Sequence, residues 1–570
     1  MKKKLLPGWM AAAMLLVLPI VSFSQEVNIP DKAKATMHHE IPDGAYAPVT
    51  PGPRRLGPSA SYSGSGFSMV QVNVDGSGQN ILGDAANEPS IAISPVDPNL
   101  IVIGWRQFDD VGNSFRQAGW GFSNDGGLTW NFPGVIEPGI FRSDPVLDAD
   151  DDGNFYYNSL TSNSGTYTCK VFKSTDGGAT WDLGANARGG DKQWMTIDRT
   201  NGIGSGNIYS SWTSYYSSCY PEFFTRSTDG GGFFDYCVEI PGNPYWGTLT
   251  VGNSGELYVA GTGAWGGLMV AKSTTAQDPG EPVEWDFAMP VDLDGYLLSG
   301  LAVNPVGLVG QAYIDVDRSN GPGRDNVYVL ASAARLSNSD SADVMFVRST
   351  DGGLTWGLPR RINDDAGVTH YQWFGTMSVA PNGRIDVVWL DTRDAGANPF
   401  MSSLYYSFSL DQGESWSPNE RLSDAFDPHL GWPQQQKMGD YFDMESSVGS
   451  AHLAWANTLN GEQDVYYSVI TPDVTGIDDG QNNGQLYSIA ASPNPVVSDA
   501  TIRYKIASEC KVRISILNVF GSVLQTLVDT RKPAGTYTLE FSAGELPAGY
   551  YICRMEAGPF IKTTGIVLVK

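Results

Sequence analysis

An eight-residue pattern, Ser-x-Asp-x-Gly-x-Thr/Ser-Trp, recurs along the chain and limits its fold more than any other feature. It stands at Ser123–Trp130, Ser174–Trp181, Ser349–Trp356 and, with Ser in place of Thr, at Ser409–Trp416. Ser227–Phe234 is a worn copy in which Phe233 and Phe234 replace Thr and Trp. Ser273-Thr274-Thr275 is a remnant, with Trp285 as the candidate for the Trp place. Each copy reads as a turn between two antiparallel strands. Asp accepts backbone N–H groups, Gly allows positive φ, and Trp packs beneath. Internal periodicity of this kind marks a repeat architecture.

A β-hairpin of alternating apolar residues precedes each turn. Seven are read: Ile91–Trp105, Val146–Leu160, Met195–Trp212, Leu249–Ala260, Leu301–Leu330, Met377–Trp389 and Met444–Trp455. The seventh continues into Asp464–Ser468 but has no turn motif after it, so its sheet lacks a strand. Ser68–Val74 is placed to supply that strand and close a ring. Composition agrees with an all-β chain rich in tight turns: Gly 66 and Pro 34 of 570 residues, with charged residues at 17% against a usual ~25%. The expected fold is therefore a seven-bladed β-propeller over residues 68–471, with six blades as the alternative.

The repeated turn resembles the Asp-box, or BNR repeat, of the sialidase superfamily. That resemblance implies a structural turn that does not touch substrate, on a propeller that acts on glycans. A sialidase domain has six blades, so a count of seven argues against simple transfer of that activity.

In a propeller the boxes lie on one face. The entries to the innermost strands and the turns between second and third strands lie on the other, around the channel mouth. The residues at those places are Glu88, Arg106, Arg142, Asp144, Lys192, Trp194, His370, Tyr371, Gln372, Trp373, Asp391, Arg393, Asp440 and Tyr441. Charged groups, amides and aromatic rings around a mouth suit glycan recognition, through planar hydrogen bonds and stacking. Each is also a residue type that satisfies strand-end backbone groups.

The leading reading of this set is a glycoside hydrolase of exo-sialidase type, with a polysaccharide lyase and a non-catalytic binding propeller as the alternatives. Exo-sialidase chemistry needs three arginines on the substrate carboxylate, a Tyr nucleophile with a Glu partner, and an Asp acid/base. Arg106, Arg142 and Arg393 are the candidate triad, although the early Arg-Ile-Pro motif of that family is absent; Glu88 and Asp144 are the candidate carboxylates. A polysaccharide lyase on uronic-acid polymers would instead use Arg142, Arg393 or Lys192 to neutralise a carboxylate, and His370 or Tyr371 to move the proton. A non-catalytic module binding glycans or proteins is the third. Trp194, Gln372, Trp373, Asp391, Asp440 and Tyr441 are substrate-binding candidates in each case. No cofactor is required by these readings. Asp148, Asp150 and Asp152 spell the start of a calcium loop, DxDxDG, so Ca2+ is a candidate ligand, but Ser159 stands where an EF-hand acid belongs. The formal net charge of −26 disfavours nucleic acid and anionic membranes as partners.

The ends describe export. Lys2, Lys3 and Lys4 precede an apolar run from Ala11 to Val21, too short to span a bilayer, and Ser22-Phe23-Ser24 suits signal-peptide cleavage before Gln25. Residues 25–67 read as an N-terminal extension and 472–490 as a polar linker. The rest opens with Ser492-Pro493-Asn494-Pro495 and runs through alternating strands, an Ala548-Gly549-Tyr550-Tyr551 turn and a final Lys562…Lys570 strand. Residues 491–570 resemble the type A C-terminal sorting domain of type IX secretion, which implies a small β-sandwich read by the secretion machinery, export across the outer membrane, and a secreted or cell-surface protein. No later stretch is apolar enough for a transmembrane helix. In that oxidising setting Cys219 and Cys237, which flank a hairpin, are the candidate disulfide.

Overall fold

The computed structural model describes residues 44–48, 54–473 apart from 65, 164–165 and 264–265, and 488–569 apart from 507–509, 519–522, 534, 545 and 558–559. The signal peptide and most of the linker lie outside the described residues.

Alternating apolar residues give antiparallel β structure throughout. A three-residue 3-10 turn at Ser214–Tyr216 is the one helical element among the described residues. From residue 61 to 470, seven antiparallel sheets follow one another in the described chain. Their innermost strands are Ala85–Ile93, Ser143–Ala149, Trp194–Ile197, Leu249–Val251, Tyr313–Val316, Gln372–Val379 and Asp443–Ser446. Each inner strand contacts the next, and the seventh returns to the first. Phe67–Gln71 pairs antiparallel with Asp464–Ile470, with Ser68 opposite Val469. The N-terminal strand thus completes the last sheet. The fifth inner strand begins at Tyr313, later than the expected Leu301. Residues between Leu297 and Gln311 instead form a loop in which Asn304 and Leu308 bond to the 438–440 segment.

The box turns share one hydrogen-bond pattern. In the first, the Ser123 hydroxyl donates to Asp125 and accepts from the Gly127 amide, while Asp125 accepts from the amide and hydroxyl of Thr129. The turns at Asp176, Asp351 and Asp411 repeat it, and Asp229 keeps all but the side-chain bond, because Phe233 has no hydroxyl. Trp130 is buried and packs on Tyr467 of the neighbouring sheet, with ring centroids 5.4 Å apart. Trp181, Trp356 and Trp416 are only half-buried, each in the irregular segment between its turn and the short outer strand.

Toward the C-terminus, Ser488–Ser492, Asp499–Ile506 and Gly535–Ser542 form one sheet. Cys510–Leu517, Val523–Lys532, Gly549–Ala557 and Phe560–Leu568 form another. Their alternating apolar residues, among them Ile502, Ile514, Phe541 and Met555, share one core.

Candidate functional site

Seven residues at the entries to the inner strands hold left-handed backbone: Glu88, Asp144, Lys192, Trp246, Gly310, Phe374 and Gly439, with φ from 48° to 141°. Two of these entries are recorded as strand bulges, at Asn87/Ser90 and at Trp373/Thr376. Five of the seven carry side chains at a backbone conformation that costs non-glycine residues of order 1–3 kcal/mol. At the two bulged entries the extra residues turn Glu88 and Phe374 away from the regular alternation of the strand.

Three of them meet at the axis. Arg106 Nε lies 3.0 Å from Glu88 Oε2, and Lys437 Nζ lies 3.2 Å from Glu88 Oε1 and 2.6 Å from Asp440 Oδ2. Lys192 Nζ lies 2.8 Å from the same Asp440 oxygen, 3.4 Å from Asp144 and 3.6 Å from Asp191. The result is a continuous chain of alternating charge drawn from four sheets. Every member is at most 3% exposed. Burial pushes the Glu88 carboxyl well up, against the pull of Arg106 and Lys437. Trp194 packs edge-on against Tyr441 and Tyr313, at 5.3 and 6.0 Å. The Tyr441 hydroxyl donates to Pro145 O at 2.8 Å and the Tyr313 hydroxyl donates to Phe442 O. The sequence-derived set Glu88, Arg106, Asp144, Lys192, Trp194, Asp440 and Tyr441 therefore converges, but on a buried ionic core, against whose Asp440 the 297–311 loop bonds. Glu88 and Asp144, read as catalytic carboxylates, do not reach solvent.

The remaining candidates, Arg142 apart, sit on the sixth sheet. Gln372 Nε2 and the Trp389 indole N–H both donate to Asp391. Arg393 donates to Asp391, Asp364 and Asn419, and its guanidinium lies 4.5 Å from the Tyr405 ring centre. Arg361 and Arg393 both lie within 4.0 Å of Asp365. The His370 side chain is 39% exposed, with Nδ1 3.8 Å from Asp365 Oδ2, and neither atom has a hydrogen-bond partner. Tyr371 is tied through its amide to Thr392 Oγ1. Trp373 is fully buried and donates to Ser402 Oγ. Gln372 pairs with Asp391 at one end of this sheet, and Ile385 pairs with the box residue Ser409 at the other. The cluster thus lies on the face opposite the boxes.

The expected arginine triad does not form. Arg106 serves Glu88 in the core, Arg393 serves the sixth-sheet aspartates, and Arg142 pairs with Glu137 with its guanidinium 5.0 Å from the Phe172 ring centre. The three calcium-loop aspartates do not converge either. Asp148 accepts from the Ile197 amide on the next sheet, and Asp150 is occupied by Asn154, Tyr156 and its own turn. Among the described residues no three His, Cys, Asp or Glu side chains are grouped to hold a metal. Cys219 and Cys237 are bonded to each other, with Cα atoms 6.3 Å apart. Asp365, Arg361 and Asn304 were not singled out from the sequence. The partners of Asn304 are distant in the chain, whereas Arg361 and Asp365 pair with each other four residues apart, and their only local signal is the Asn363-Asp364-Asp365 run.

Residues 491–570 match the family model of the secretion system C-terminal sorting domain. This segment is such a domain, and it marks the chain for export across the outer membrane by type IX secretion, to be secreted or held at the surface. No helix among the described residues is long and apolar enough to cross a membrane. No curated protein matches the chain. Among solved structures it is similar to a protein of unknown function from Dyadobacter fermentans, at 14% identity over 71% of this chain and 99% of that chain, with a TM-score of 0.42. It is also similar to the phage phi92 endosialidase, at 9% identity over 88% and 87%, with a TM-score of 0.40. Trypanosoma rangeli sialidase shows 10% identity over 88% and 89%, with a TM-score of 0.37.

Proposed function

We propose that residues 68–471 form a seven-bladed β-propeller, exported by the C-terminal β-sandwich at 491–570, that binds extracellular glycans on the face opposite its boxes. The seven inner strands in cyclic contact and the seven left-handed strand entries support the blade number. The observation that carries the functional reading is the partly exposed His370 ring, whose buried Nδ1 faces the buried Asp365 carboxylate, set among Arg361, Arg393 and Tyr405.

Binding is favoured over exo-sialidase chemistry because Arg106, Arg142 and Arg393 stand in three separate ion pairs, leaving no shared anion site for a sialic-acid carboxylate. The lyase reading keeps one supporting feature: His370 is a base with a carboxylate beside it, as proton abstraction needs. The test is a panel of neutral, sialylated and uronic-acid polysaccharides offered to the full exported protein, followed by His370→Ala and Arg393→Ala with folding checked. Binding without products, weakened in either variant, is expected. Release of sialic acid or of unsaturated uronate would replace binding with catalysis. Unchanged glycan binding in both variants would move the site off this rim.

A further inference from the structure

The third sheet carries an insertion that the functions above leave unused. Between its strands Ile208–Ser211 and Phe224–Ser227 the chain makes a 3-10 turn at Ser214–Tyr216 and then enters the Cys219–Cys237 bridge. Tyr215, Tyr220 and Tyr236 are 77%, 71% and 85% exposed. Tyr215 packs edge-on against Tyr216 at 5.0 Å, and Tyr216 against Tyr167 of the second sheet at 5.9 Å. Tyr220 and Tyr236 each adjoin one bridged cysteine, and the Arg188 guanidinium lies 5.5 Å from the Tyr236 ring centre.

The frame beneath these rings is held from several sides. The buried Trp212 donates its indole N–H to Ser217 Oγ at 2.7 Å, and that hydroxyl accepts from the Cys219 amide and donates to Glu222 O. The amides of Thr213 and Ser218 reach Asp191 O and Gly189 O, both at 2.9 Å. The insertion is therefore tied to the third strand entry, on the glycan-facing side of the ring. Bulky rings this exposed are costly to present without a partner, and a braced loop loses little entropy when it binds. A tyrosine offers an apolar face to sugar C–H groups and a hydroxyl to sugar oxygens. The segment 213–239 carries Glu222, Asp229, Asp235 and Glu239 against Arg226, which pairs with Asp235, and among the described residues the one cation at the rings is Arg188; the chain as a whole carries −26. That excludes the salt-dependent capture of a polyanion.

We infer that the disulfide-braced tyrosines 215, 220 and 236 form a stacking subsite for neutral sugar units of a polysaccharide. This rests on the glycan-binding reading and adds a place and a ligand class to it.

The test is depletion binding of the full exported protein to insoluble cellulose, β-1,3-glucan, xylan and mannan, with alginate and chondroitin sulfate beads as anionic probes. The exposed rings allow Tyr215→Ala, Tyr220→Ala and Tyr236→Ala to be combined without loss of fold, which an unchanged melting curve checks. The triple variant should lose about tenfold or more in affinity for the neutral polymer that the parent binds, or about 1.4 kcal/mol. The matching Tyr→Phe variant should keep most of it. Equal binding by parent and triple Ala variant overturns the subsite, as does a parent that binds only the anionic beads. In both outcomes the broader glycan reading stands. A parent that binds none of the six polymers overturns both.

Discussion

Asp125 shows what one box residue does. Burial alone would raise its carboxyl pKa, but the hydroxyl and amide of Thr129 and the hydroxyl of Ser123 outweigh burial, and the pKa is lowered. Asp176, Asp351 and Asp411 are lowered for the same reason, and Asp229 by the Phe233 amide and the Ser227 hydroxyl. A depressed folded pKa gives stability that is present above the unfolded value near 4 and lost as pH falls through the folded value. Asp125→Asn should therefore cost about 1.5–3 kcal/mol at pH 7, and much less near pH 3, as read by urea titration at the two pH values. The box tryptophans differ among themselves. Trp130→Ala should cost about 3–5 kcal/mol and Trp356→Ala clearly less, since only the first is buried. The motif was fully legible in the sequence, whereas the burial of its Trp was not. Burial depends on what the adjacent sheet offers, and for Trp130 that is Tyr467, over three hundred positions away in the chain.

At the scale of elements, the strand entry is the unit that repeats. Charged residues at the head of apolar strands could be read from sequence, and the reading placed Glu88, Asp144, Lys192 and Asp440 together correctly. It did not show that they are sealed in. Part of the cover comes from the 297–311 loop bonded to Gly439 and Asp440, where the sequence pattern suggested a hairpin beginning at Leu301. Sealing changes the expected phenotype. Lys192→Met removes a cation shared by Asp144, Asp191 and Asp440 at 0–2% exposure, so it should destabilise by about 3–5 kcal/mol. A Lys192→Met protein with an unchanged melting curve and abolished glycan binding would show that this core is a ligand site after all. The rim was half legible. His370, Gln372, Asp391 and Arg393 are local to one strand pair, whereas Arg361 and Asp365 come from the edge of the fifth sheet and the connection after it.

Across the whole ring, buried carboxylates oppose the boxes in their response to pH. Burial lifts Asp443 to about 7, against bonds from Ser90 and the Ile91 amide, and Asp340 to about 6. Glu88, Asp464 and Asp84 are also raised by burial, Asp84 further by the charge of Asp464. A raised folded pKa gives stability that is complete below the unfolded value near 4 and lost as pH climbs through the folded value. Between about pH 4 and 7 the folded chain holds more protons, so stability should fall as pH rises. Below that window the box aspartates reverse the slope. Asp84 and Asp464 stand at the seam where the last sheet meets the first. There Asn73 of the N-terminal segment bonds Asp464 and the Val465 amide, and the Ala86 amide reaches Gln463 O. Ring closure is thus the place where rising pH brings two carboxylates of like charge together out of water. Asp84→Asn removes one of them while its side-chain oxygen keeps the bond from Gln107. The variant should melt higher than the parent at pH 8, match it at pH 5, and show a flatter profile between, by calorimetry across that range. An equal shift at both pH values would mean that packing at the seam, not its charge, sets the difference.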